Sequence, residues 1–80
     1  MDRLEVLRTT RKAPGVTPQY SICVFRGARD GNPEKKFRVG DDDLRNCLEE
    51  CGLDPSVADD ILRELESADT AQRWLDAIPA

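Results

Sequence analysis

The residue pattern changes period at Gly40, and this change constrains the fold more than any other feature of the chain. Before Gly40 the apolar residues recur at alternate positions. After it they recur at i, i+3, i+4 and i+7. An alternating period sorts side chains onto the two faces of a strand, whereas a 3.6 period gathers them on one stripe of a helix. The chain is therefore expected to build a sheet first and helices second, an α+β arrangement.

The same boundary divides the charge. Residues 1–40 carry nine Lys/Arg against four Asp/Glu, a net of +5, and residues 41–80 carry three arginines against twelve carboxylates, a net of −9. Such a split creates one surface that attracts anions and one that repels them. At 80 residues the chain is expected to form a single domain over 1–80, with a basic β half and an acidic helical half. Four aromatics, Tyr20, Phe25, Phe37 and Trp74, leave most of the core to Leu, Ile and Val. A core that small encloses a ligand pocket of several hundred Å³ only with difficulty, which disfavours a small-molecule enzyme. No apolar run has the length of a membrane span, the first ten residues lack the apolar stretch of a signal peptide, and three cysteines do not suit a disulfide framework. The expectation is a cytoplasmic protein with no membrane partner.

The first strand is expected over residues 3–10, with Leu4 and Val6 on one face and Leu7 on the other. The strongest strand spans 19–26, sorting Tyr20, Ile22 and Val24 from Ser21, Cys23 and Phe25. A Gly/Pro-containing loop over 27–34 returns the chain into a third strand at 35–39, with Phe37 and Val39 inward and Lys36 and Arg38 outward. Leu44, Cys47, Leu48 and Cys51 then define a helix begun by Asp41 and stopped at Gly52. Asp54-Pro55 opens a second helix with the stripe Val57, Ala58, Ile61, Leu62 and Leu65. A capping box at Asp69–Gln72 predicts a third, carrying Ala71, Trp74, Leu75 and Ile78 and ended by Pro79. The expected architecture is a small three-stranded antiparallel sheet followed by three short helices packed on one face.

The residues that could carry chemistry have plainer explanations. Cys47 and Cys51 lie one turn apart on an apolar stripe, and with no histidine and one further cysteine, Cys23, a zinc tetrad has too few ligands. The absence of histidine also removes serine–histidine and cysteine–histidine nucleophiles. Asp41, Asp42 and Asp43 point in different directions at a helix start, where they suit the helix dipole. Each helical arginine has an aspartate four residues earlier (Asp41–Arg45, Asp59–Arg63, Asp69–Arg73), the favourable order for local pairs. No catalytic, cofactor-binding or metal-binding residue is expected, and an enzyme role would require a site completed by another chain.

Two surfaces remain. The leading expectation is a non-enzymatic interaction protein that binds a protein partner. It would use an acidic helical face (Asp42, Asp43, Glu49, Glu50, Asp60, Glu64), the sheet face around Cys23 and Phe25, or both. Such a face suits a homodimer, another protein, or inhibition of a nucleic-acid-handling protein. The alternative is a nucleic-acid-binding module using the basic hairpin over 26–38, with Arg26, Arg29, Lys35, Lys36 and Arg38 on phosphates.

Overall fold

The computed structural model describes residues 1–10, 13–27 and 31–78. Strands β1 (Asp2–Arg8), β2 (Gln19–Phe25) and β3 (Lys35–Gly40) are followed by a 3₁₀ turn (Asp41–Asp43), helices α1 (Leu44–Glu50) and α2 (Pro55–Glu64), and strand β4 (Thr70–Leu75). The sheet is antiparallel throughout, in the order β3-β2-β1-β4. The expected α+β class stands, but three strands and three helices become four strands and two helices among the described residues. Arg29 and the expected helix stop at Pro79 lie outside the described residues.

The segment expected to form a third helix is the fourth strand, and the reason is tertiary. Ala71, Trp74, Leu75 and Ile78 satisfy helical spacing, but Ala71, Arg73 and Leu75 equally alternate with Thr70, Gln72 and Trp74. Leu4 and Val6 of β1 are wholly buried. Without a neighbour on that side, the outward backbone groups of β1 would lie unpaired against the core. β4 satisfies them in register, Leu4 opposite Arg73 and Val6 opposite Ala71. A lone helix of under three turns has no comparable gain. The strand also turns Trp74 out of the core, leaving it 51% exposed.

Both helices cover the face formed by Leu4, Val6, Tyr20, Ile22, Val24, Val39 and Ala71. Leu44, Leu48 and Cys51 of the first helical segment, Leu53, and Ala58, Ile61 and Leu65 of the second complete the core with Ile78. Phe37 shares this face but stands on an edge strand, 36% exposed rather than inward. Gly52 ends α1 as its position implied: at φ +92° it lets its own N–H reach Glu49 O and the Leu53 N–H reach Leu48 O. Asp54 precedes Pro55 at the start of α2, and neither Asp43 nor Asp54 donates or accepts a side-chain capping bond.

The i, i+4 pairs are not formed. Arg45 reaches across to Asp59 and ties α1 to α2, Arg63 pairs with Asp60 at 3.2 Å, and Arg73 pairs with Glu64 at 2.9 Å. Asp69 instead lies 3.7 Å from Arg8. Arg45 and Arg73 take carboxylates that packing brings from another element, Arg63 takes the i, i+3 carboxylate of its own helix, and Asp69–Arg73 lost its helical spacing when 70–75 became a strand.

Asp2 ties the start of β1 to the chain just after β2 and after β4. Its carboxylate accepts the N–H of Gly27 and of Ile78, each at 3.0 Å, and a longer bond from Arg26 at 3.3 Å. The Gly27 and Ile78 donors, helped by Arg26, hold its pKa below the usual aspartate range. Because the native carboxyl is the stronger acid, this clasp contributes fully above the unfolded-state pKa and is lost as pH falls through the lower native value. Thermal melts followed by circular dichroism between about pH 6 and pH 2 should show a shallower acid loss for Asp2→Asn than for the parent chain. Equal slopes would remove Asp2 from the acid transition.

Candidate functional site

The face of the sheet opposite the helices has no element over it among the described residues. Register arranges its side chains in three rows across the strands. One row is Trp74, Arg3 and Phe25; the next is Gln72, Glu5, Cys23 and Lys36; the third is Thr70, Leu7, Ser21 and Arg38. Each row runs perpendicular to the strands, so its members are direct cross-strand neighbours.

The first row is the most distinctive. The Arg3 guanidinium carbon lies 4.1 Å from the centroid of the Phe25 ring and 5.6 Å from that of Trp74, so a cation is held between two aromatic rings. Its Nε is enclosed and has no hydrogen-bond partner. A buried donor left unbonded is uncommon in folded proteins. Trp74 is the most exposed aromatic of the described residues.

In the lower rows, Lys36 and Arg38 stand exposed on β3, while Ser21 and Cys23 are buried beneath their longer neighbours. Burial pushes the Cys23 thiol up, with Lys36 opposing and Glu5 adding to the shift. The thiols of Cys47 and Cys51 are likewise raised, chiefly by burial, which is the opposite of what a reactive thiolate needs. Among the described residues, the strands place Arg3, Lys36, Arg38 and a single carboxylate, Glu5, on this face. An open groove of about 540 Å³ adjoins the Phe25 end, lined by Phe25, Arg26, Gly27, Asn32 and Glu34.

The basic hairpin does not act as one patch. Arg26 is committed to Glu34 at 2.8 Å, to Asp2, and to the Ile78 carbonyl at 2.5 Å. Lys35 has the opposite strand parity from Lys36 and Arg38 and belongs to the helix-side face. The structure thus separates five expected phosphate contacts into a structural arginine, a residue on the other face, a pair on the open face, and Arg29, outside the described residues.

The acidic residues are also divided. Asp42, Asp43 and Glu50 are exposed around α1, Glu49 is half-buried, and Asp60 and Glu64 are engaged by Arg63 and Arg73. No group of three or more metal-ligating side chains occurs among the described residues. Of the expected contact residues, Cys23 and Phe25 share the open face, and sequence reasoning missed their neighbours Arg3 and Trp74. The signal for Trp74 was the alternation Thr70, Gln72, Trp74; it was masked by an equally good helical stripe.

Comparison with known protein families, with curated proteins and with solved structures finds no match to this chain. No helix is long and apolar enough to cross a membrane among the described residues.

Proposed function

We propose that this chain is a non-catalytic module that binds single-stranded nucleic acid on the open face of its sheet. The observation that carries the reading is the Trp74–Arg3–Phe25 row beside Lys36 and Arg38 on one antiparallel surface that no element covers among the described residues. Unpaired bases stack on aromatic rings and guanidinium planes, while nearby cations follow the phosphates. Trp74 and Arg3 supply the stacking surface, and Lys36 and Arg38 the electrostatic track.

The overall charge of −4 does not oppose this geometry. The acidic helices pack on the opposite side of the sheet, in a molecule 18 Å across its shortest dimension. Screening reduces interactions beyond about 8 Å at physiological ionic strength, so a strand on the open face meets the local cations first. The far carboxylates then disfavour binding on the wrong side. Free Cys23, Cys47 and Cys51 suit a reducing, cytoplasmic setting.

The test is fluorescence anisotropy of labelled single-stranded DNA and RNA oligonucleotides against this protein. Two or three phosphate contacts predict an affinity loss of about 7- to 18-fold between 50 and 200 mM salt. Lys36→Glu with Arg38→Glu should abolish most of the salt dependence. Absence of binding at low salt would sink the proposal.

A second reading has its own observation: exposed Asp42, Asp43 and Glu50 offer a negative surface to a basic protein partner. Charge reversal at those three positions leaves oligonucleotide binding intact if the sheet face is the nucleic-acid site.

A further inference from the structure

We infer that β4 is a self-pairing edge, joining two copies of this chain antiparallel about a twofold axis at Gln72 into one eight-stranded sheet. The inference rests on backbone geometry and is independent of what the open face binds.

In an antiparallel ladder, residues alternate between those bonded to one neighbour and those turned to the other side. The Arg8 N–H donates to Asp69 O at 2.8 Å, which makes Arg8–Asp69 a bonded pair. By alternation Ala71, Arg73 and Leu75 also face β1, and the backbone groups of Thr70, Gln72 and Trp74 face outward. A second copy can bond only through those same residues. Centring the axis on Gln72 uses all of them: Gln72 opposite Gln72 of the second copy, and Thr70 opposite Trp74 in both directions. A register slip of one residue would oppose inward groups to outward ones, and moving the axis to Ala71 or Arg73 would engage fewer of the outward residues.

The side chains agree with this register. On the open face it opposes an amide to an amide and a threonine to a tryptophan. On the helix side it opposes Ala71 to Arg73, so no like charges stand directly across. The other edge behaves differently. The Thr9 N–H donates to Gln19 O at 2.8 Å, and the same alternation leaves Lys36, Arg38 and Gly40 of β3 facing outward. Self-pairing there about Arg38 would set arginine against arginine. Cationic edge residues are a usual barrier to strand pairing, and β3 has them where β4 does not.

One contact limits the affinity. Arg73, held by Glu64, donates to Gln72 O at 2.7 Å and so shares the central outward carbonyl. That oxygen has a second lone pair for the copy's N–H. With a short edge as the only seam, association is expected to be weak and concentration-dependent. The pairing would bring two open faces side by side with both Trp74 rings near the axis.

Sedimentation equilibrium of the intact protein up to about 1 mM is the first test, with Trp74 emission as a parallel readout because it is the only tryptophan. Mass should rise toward that of a dimer, and Gln72→Lys should weaken association about fivefold by opposing two lysines. In a Cys47→Ser background, Gln72→Cys should cross-link under mild oxidation, because bonded partners lie about 5.5 Å apart at Cα, within disulfide reach. Thr70→Cys should not, since its two copies would be separated by about 13 Å. A protein monomeric throughout, association indifferent to Gln72→Lys, or equal cross-linking at both positions would overturn the inference. Oligonucleotide binding by a strictly monomeric protein would reject it while leaving the proposed function intact.

Discussion

The Trp74→Ala variant is expected to bind single-stranded oligonucleotides about 5- to 150-fold more weakly than the parent chain, with little change in thermal stability. The range follows from the ~1–3 kcal/mol that one base–aromatic stack contributes. Stability should be spared because Trp74 is half-exposed and sits on an edge strand, so truncation opens no cavity in the core. Arg3→Ala offers the complementary measurement. It removes the cation between the rings and also the orphaned Nε, so binding should fall while the salt slope drops by less than for Lys36→Glu with Arg38→Glu. Titration by fluorescence anisotropy, with melts run on each variant, checks both. If Trp74→Ala binds like the parent, the aromatic row is not the contact surface.

The second large effect concerns the fold. Ile22→Ala should cost about 3 kcal/mol, within the range for deleting a wholly buried aliphatic side chain. Ile22 lies on β2, between Val6 of β1 and Phe37 of β3, and faces the helices. Neighbours on both strands hold the site open, so collapse around the lost atoms is restricted. For a domain this size, 3 kcal/mol corresponds to a fall in melting temperature of roughly 12–24 °C. Total stability near 0.05–0.15 kcal/mol per residue leaves only about 4–12 kcal/mol to lose. Calorimetry or urea titration would measure it, and a shift of only a degree or two would show that the core repacks freely.

The alternation of Tyr20, Ile22 and Val24 identified β2, and the stripe of Ala58, Ile61 and Leu65 identified α2, because each pattern admits one period. Thr70–Leu75 admits two. Its helical reading looked better capped, and the deciding partner, β1, lies more than sixty residues away in the chain. A helical Trp74 falls in the core, which leaves only Phe25 and Cys23 marked on the open face and gives Arg3 nothing on the β4 side to stand beside. Charge was legible as a total but not as a pattern, since Arg26 turned inward to Asp2 and Ile78 while Arg45 and Arg73 chose carboxylates on other elements.

The position of β1 between β2 and β4 also sets an order on assembly during synthesis. β1 gains its first neighbour after the connection over 9–18, but its second only when Thr70–Leu75 has emerged. Until then, a nascent chain presents an unpaired strand edge beside Leu4 and Val6, the kind of surface that recruits other chains. Pairings so distant in sequence close slowly. A ribosome pausing within the codons for α2 would lengthen that exposed interval, so translation speed over this stretch should govern how much of the protein reaches its folded form.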